Sequence, residues 1–385
     1  MPIEEFRVHV PDEEIEDLHR RLDSARLPDQ LTGSGWGYGT DRDTLAEWIT
    51  HWRENFDWRA VEAKFNAFEQ GVTEAAGERV HFVHAPSSEP NATPLLITHG
   101  WPGSVVEFLD IIEPLRNPST YGGDSTDAFH VVCPHIPGYG FSGPTKQPGF
   151  HVGRAAAAIA EVMQQLGYQR YIAQGGDWGS LVTRHLAESH ADSVIGAHFN
   201  MLFALPTDMS APETWEGVTA DEQAAFVAAA SGVADGLGYM EIQGTKPQTL
   251  AYGLNDSPVG LLAWQLEKFH AWSDGGLDTA YPRDNVLANV ALYWFTQTAN
   301  SAARLYCESR RAGNHSTDPW DGQIDVPTGY CRYPAELLQT PRVWADKRYT
   351  NIVHWTEADR GGHFAAFENP DFFVEDLRAF GRAVR

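Results

Sequence analysis

The stretch Gln174-Gly175-Gly176-Asp177-Trp178-Gly179-Ser180 constrains this chain more than any other. Tyr171-Ile172-Ala173 before it is short and β-prone, and Leu181 to Ser189 after it reads as a helix, so the string sits at a strand-to-helix turn. Gly175 and Gly179 lack a Cβ, which lets strand and helix approach closely around one strained residue whose side chain is pushed into the open. This is the context in which hydrolytic enzymes present a nucleophilic serine. Here the position carries Asp177.

The replacement changes the chemistry. A serine at such a turn performs acyl transfer, whereas a carboxylate attacking an electrophilic sp³ carbon displaces a leaving group and leaves an alkyl ester on the protein. Water activated by a histidine can then cleave that ester at its carbonyl. The plainer reading is an ordinary glycine-rich turn in which Asp177 caps the following helix. On this string alone both readings stand.

A second loop narrows the choice. His99-Gly100-Trp101-Pro102-Gly103-Ser104 follows a buried-strand candidate, the place from which a backbone N–H joins an oxyanion hole, so the N–H groups of Trp101 and Trp178 form the natural pair. Trp101-Pro102 is a candidate for a cis bond, and His99 reads as a structural hydrogen-bonding residue. The base is expected last in chain order. Arg360-Gly361-Gly362-His363-Phe364 follows the final strand candidate, which makes His363 the best placed of 16 histidines. For the acid that orients it, placement favours Glu336 after the returning strand, with Asp325 and Asp359 as competitors.

Length and charge bound the rest. A chain of 385 residues suggests one large domain with an insertion or extension. Its net charge of −24 argues against nucleic acid or an anionic membrane as partner. No apolar run reaches the roughly 18 residues that span a bilayer, and Met1-Pro2-Ile3-Glu4-Glu5-Phe6 lacks the basic and apolar regions of a signal peptide, so a cytoplasmic protein is expected. Cys133, Cys307 and Cys331 fit reduced thiols, and their spacing offers no metal site.

Along the chain, residues 1–90 read as a helical, Trp-rich extension that wraps the core. Ile15, Leu18, Leu22 and Ala25 form one apolar stripe at helical spacing, and Leu45, Trp48, Ile49, Trp52 and Phe56 form another. Short β runs at Val80 to His84, Leu95 to Thr98, Phe129 to Cys133, Tyr171 to Ala173 and Val194 to Phe199 then alternate with helices. That grammar predicts an α/β fold with a mostly parallel, doubly wound sheet, its core at 91–205 and 322–385. Residues 206–321 are mainly helical and read as a lid over the carboxyl edge of the sheet.

With four ordered motifs in hand, the chain resembles the microsomal-type epoxide hydrolases of the α/β-hydrolase superfamily, in a soluble form. The motifs are His99 to Ser104, Gly175 to Ser180, Asn255-Asp256-Ser257-Pro258-Val259-Gly260-Leu261, and Arg360 to Phe367. The N-terminal region is similar too, so the likeness covers nearly the whole chain.

The resemblance implies what spacing does not supply. Tyr239 in Gly238-Tyr239-Met240-Glu241 and Tyr306 in Arg304-Leu305-Tyr306 match the family pair that binds the epoxide oxygen, and Glu336 matches the family's acid. The implied reaction turns a small-molecule epoxide and water into a vicinal diol, with no cofactor or metal. Trp101, Trp178 and Trp264 are candidate substrate contacts, which with Trp294 suggest an apolar or aryl epoxide. The runner-up is a haloalkane dehalogenase, which shares the Asp nucleophile but replaces the tyrosines with halide donors. A homodimer is left open.

Overall fold

Strands buried on both faces must be covered by helices, and the chain supplies both in alternation. The computed structural model describes residues 2–313 and 322–385. Among the described residues the strands are β1 (Glu4–Glu5), β2 (Glu69–Ala75), β3 (Glu78–Ala85), β4 (Thr93–Thr98), β5 (Phe129–Pro134), β6 (Tyr171–Gly175), β7 (Val194–Phe199), β8 (Thr328–Arg332) and β9 (Ile352–Glu357). They form one sheet in the order β1-β2-β3-β5-β4-β6-β7-β8-β9. From β5 to β9 neighbouring strands are parallel, while β1, β2 and β3 pair antiparallel and β3 joins β5 antiparallel. This is the mostly parallel sheet that the alternation predicts.

Parallel strands share one carboxyl edge, and there the chain leaves the sheet after β4, β6, β8 and β9. The four loops so gathered carry Trp101, Asp177, Glu336 and His363. The C-terminal helix Pro370–Val384 is pinned behind this sheet by Asp376, which accepts hydrogen bonds from His198 on β7 and His354 on β9, each at 2.8 Å. Burial opposes the charge of Asp376, yet the bonds from these histidines hold its carboxyl well below the usual range.

Between β7 and β8 the chain is helical, including Gly238–Thr245, Pro258–Ala271, Arg283–Thr296 and Ala299–Arg311. The far end of the lid segment read from sequence, 314–321, lies outside the described residues. Polar contacts fasten the helices to the loop after β4: Asn289 donates to the Pro102 carbonyl at 2.7 Å and Tyr293 to the Gly103 carbonyl at 2.8 Å. No helix of the described residues is long and apolar enough to cross a membrane.

The reading of residues 1–90 needs two corrections. It is not helical throughout, because β2 and β3 form a hairpin that widens the sheet, turned by Ala76 and Gly77 at positive φ. Buried polar residues hid β2: Gln70 bonds His81 and the Phe65 carbonyl, and Thr73 bonds Gln165, so polarity there does not mean exposure. The extension also does not simply wrap the sheet core. Its helices reach the inserted helices, with Trp36 stacked on His270 at 3.8 Å, Thr40 bonded to the Ala263 carbonyl and Arg21 to that of Asp256.

Trp48 and Trp52, one turn apart on the helix Arg42–Glu54, are wholly buried. Replacing Trp52 with Ala is expected to cost about 3–5 kcal/mol of unfolding free energy. A lowered urea midpoint with an unchanged slope is the measurement that checks it.

Candidate active site

The turn between β6 and the helix Trp178–Ser189 is built by close backbone approach. A Cβ on Gly175 would lie 2.1 Å from the Gly179 carbonyl oxygen, and one on Gly179 would lie 1.9 Å from that of Thr98. Both positions therefore need glycine. Asp177 between them has φ 51° and ψ −124°, a left-handed conformation that side chains rarely adopt. Its carboxylate makes no capping bond to the helix, so the plain-turn reading of this string is set aside.

The carboxylate instead meets the N–H of its own neighbour Trp178 and two groups from other loops. Trp101 N–H donates to Asp177 Oδ1 at 2.7 Å, and the N–H of Trp178 also bonds the carboxylate. His363 Nε2 stands 3.7 Å from Asp177 Oδ2, and its Nδ1 is 2.9 Å from Glu336 Oε1. The histidine and acid loops are tied together by Ala335 N–H donating to the Gly361 carbonyl at 3.1 Å. Gly361 takes φ +107°, and a Cβ on Gly362 would lie 2.6 Å from the Trp272 carbonyl, which is why two glycines precede His363. Of the rival acids, Asp325 bonds Thr350 and Asp359 faces Asn369, away from the imidazole. His99 lies behind the loop, bonded to the Gly100 carbonyl and the Ile136 N–H, and burial lowers it to about 4. Trp101-Pro102 is cis.

Charge inside this site is strongly coupled. Burial disfavours the His363 cation, but Glu336, Asp177 and Glu107 outweigh it and raise the group to about 9. Burial likewise raises Asp177 above its ordinary value, against the lowering effects of His363 and the two N–H donors. The acids around His363 thus favour its imidazolium form, and that cation in turn favours the charged form of Asp177.

Asp177 lines two cavities. One is apolar, about 180 Å³ in volume, and is bounded by Leu181, Met240, Trp272, Leu337 and the two tyrosines Tyr239 and Tyr306. The other is smaller and mixed, lined by His363, Glu107, Gln174 and Asn200 together with Phe108, Phe364 and Phe373. Tyr239 comes from the helix Gly238–Thr245 and Tyr306 from Ala299–Arg311, their rings 6.0 Å apart. Tyr239 stacks on Trp101 at 4.8 Å, and Tyr306 meets Trp178 edge-on at 4.7 Å. Burial raises both phenols above their ordinary range, followed by the Asp177 charge for Tyr239 and by Tyr239 and then Asp177 for Tyr306, so they remain protonated donors.

Known proteins resemble this chain along nearly its whole length. Residues 3–108 match the family model described as the epoxide hydrolase N terminus, and residues 93–228 match that of the alpha/beta hydrolase fold. A relative from Stigmatella aurantiaca is 42% identical over 99% of this chain and 85% of its own length. Epoxide hydrolase 1 of Sus scrofa is 36% identical, covering 98% of this chain and 88% of that protein. The chain belongs to the epoxide hydrolase family. Among solved structures, the epoxide hydrolase of Aspergillus niger superposes with a TM-score of 0.87 at 32% identity, over 100% of this chain and 97% of that one. The juvenile hormone epoxide hydrolase of Bombyx mori gives 0.88 at 32% identity, over 99% and 94%.

Within this epoxide hydrolase, Asp177, His363, Glu336, Tyr239, Tyr306, Trp101 and Trp178 are brought together, and Trp264 is not. The Trp264 indole donates to Gln243 at 3.1 Å between lid helices and is absent from the apolar wall. Trp272 takes that place instead, 5.0 Å from the His363 ring. Trp294 lies under Arg21. Sequence reasoning missed Trp272 and Glu107. The signal for Glu107 was available: it is an acid inside the apolar run Val105-Val106-Glu107-Phe108, directly after the Trp101 loop.

Burial raises Glu107 to about 8 from 4.5, with Asp177 adding to the rise and His363 opposing it. A raised folded-state value means stability present below the unfolded value and lost as pH climbs through 8. Glu107→Gln keeps the neutral shape, so it is expected to be more stable than the parent at pH 9 by about 1 kcal/mol or more, the two converging near pH 4. Thermal melts across that range check the sign.

Proposed function

We propose that this protein hydrolyses an apolar or aryl epoxide to a vicinal diol through an alkyl ester on Asp177. The observation that carries the reading is a single carboxylate with two tyrosine hydroxyls across an apolar cavity on one side and a histidine–glutamate pair on the other.

In the first step Tyr239 and Tyr306 hold the epoxide oxygen while the Asp177 carboxylate attacks carbon from the opposite side. A C–O bond to Asp177 forms, the ring C–O bond breaks, and its electron pair stays on oxygen, which takes a proton from a phenol. The phenolate left behind recovers a proton through solvent before the next turnover, and between turnovers burial keeps both phenols protonated and ready to donate.

Esterification removes the negative charge of Asp177, and with it one of the influences that keep His363 protonated. The imidazole, still oriented by Glu336, can then release its proton and act as base. It removes a proton from water, which attacks the Asp177 carbonyl. The N–H groups of Trp101 and Trp178 stabilise the resulting oxyanion, and its collapse breaks the bond between the Asp177 carboxyl carbon and the substrate oxygen, which takes the proton back from His363 as the diol leaves. The haloalkane dehalogenase alternative lacks support here, because the donors facing Asp177 are a pair of phenols suited to an ether oxygen.

Three outcomes test the reading. A single turnover in ¹⁸O-water should place label in the Asp177 carboxylate, read by mass spectrometry of its peptide; label only in the diol would overturn the ester. His363→Gln should accumulate the ester, because the first step survives and the second does not. Tyr239→Phe should slow ester formation with styrene oxide by roughly 10²-fold, the scale of one well-placed proton donor. Halide release from a 1-haloalkane without diol formation from styrene oxide would favour the dehalogenase instead.

A further inference from the structure

Lys268 lies near the end of the lid helix Pro258–Ala271, where a lysine ordinarily reaches water. Here it is only 2% exposed. Its ammonium donates to the Gly236 carbonyl at 3.0 Å and pairs with Glu267 at 2.7 Å. It also stands 4.5 Å from the centroid of the Tyr239 ring and 5.6 Å from that of Trp272. Taking an ammonium out of water is costly, and an apolar side chain of the same length would fill the space without that cost. A charge kept in such a place calls for a reason beyond packing.

We propose that Lys268 is a positioning residue acting through Tyr239: its ammonium, over the face of that ring, makes the phenol a stronger donor to the epoxide oxygen during ring opening. This inference rests on the proposed function, in which Tyr239 donates and Asp177 attacks. A cation over an aromatic face is attracted to the ring's electron density, and more strongly where water is excluded. As the ring C–O bond breaks, negative charge grows on the epoxide oxygen and is shared with the phenol donating to it. The attraction to Lys268 therefore increases toward the transition state, which is the condition for lowering a barrier.

The surroundings fit this role. Besides burial, the charge of Asp177 and then that of Glu267 push the Tyr239 phenol toward keeping its proton, while a hydrogen bond with Tyr306 works the other way. Lys268 is the opposing charge, set against the ring itself. Trp101, stacked on Tyr239 at 4.8 Å with an interplanar angle of 9°, fixes the ring so that its other face meets the ammonium. Glu267 is 29% exposed along its side chain, so water screens part of its pull on Lys268.

The test compares ester formation in single turnovers of the full chain, using 1,2-epoxybutane and 1,1,1-trifluoro-2,3-epoxypropane. The fluorinated epoxide yields a more stable alkoxide and needs less help from the phenol. Lys268→Met should slow ester formation about tenfold with epoxybutane and distinctly less with the fluorinated compound, while hydrolysis of the ester is unchanged. Lys268→Arg should restore most of the rate. Glu267→Gln should act the other way, speeding ester formation about two- to threefold, because the ammonium is left less neutralised. Equal slowing of both epoxides by Lys268→Met, or slowing by Glu267→Gln, would mean a packing role and overturn the inference. Should Lys268→Met fail to fold, the direction of the Glu267→Gln change decides alone. Absence of any Asp177 ester in the unaltered protein would defeat the proposed function itself, whereas normal esterification in Lys268→Met would overturn only the role of Lys268.

Discussion

A carboxylate removed from water must be held by hydrogen-bond donors and opposite charge, and the arrangement around Asp177 is built to meet that requirement. Two backbone N–H groups and an imidazolium do so, and each arrives from a different loop. The backbone is strained at Asp177 because its side chain must leave the helix axis to reach them. That strain is tolerated because Gly175 and Gly179 let β4, β6 and the helix Trp178–Ser189 close to contact distances no side chain would allow.

The same requirement explains why the inserted helices are fastened to the sheet loops rather than loosely laid over them. Tyr239 and Tyr306 can face Asp177 only if the helices bearing them are fixed relative to the loop after β4. Asn289 and Tyr293 bind the carbonyls of Pro102 and Gly103, in the very loop that presents the Trp101 N–H. Stacking of Tyr239 on Trp101 continues the connection into the cavity. The N-terminal extension adds a further brace by packing on the lid helices from outside.

Asp177 lies between an apolar space and a smaller one of mixed lining. In the proposed cycle this separation matters: substrate meets the carboxylate among aromatic and aliphatic side chains, while the water-activating histidine stands among Glu107, Gln174 and Asn200. The coupling is electrostatic as well as spatial, since loss of the Asp177 charge on esterification is felt by His363 directly. Lys268 extends that network to the lid, where a buried cation bears on the phenol rather than on the carboxylate.

Much of this was legible in the chain itself. Parallel β runs, the glycines flanking Asp177, and His363 after the last strand are local patterns with local causes: a turn that tight admits only glycine, and a carboxylate in place of a serine announces its chemistry. The order of the four motifs was enough to suggest the family. Tyr239 and Tyr306 were different, because nothing in their own neighbourhoods separates a donor from lid packing, and only similarity pointed to them. The tertiary structure decided what depends on distant segments meeting. It turned the Gln70 and Thr73 stretch into a strand through buried hydrogen bonds, moved the aromatic wall from Trp264 to Trp272, and set Glu107 beside His363 and Lys268 over Tyr239. Burial and charge contacts between different elements of the chain have no local signature, and they are what fixes the electrostatics of the site.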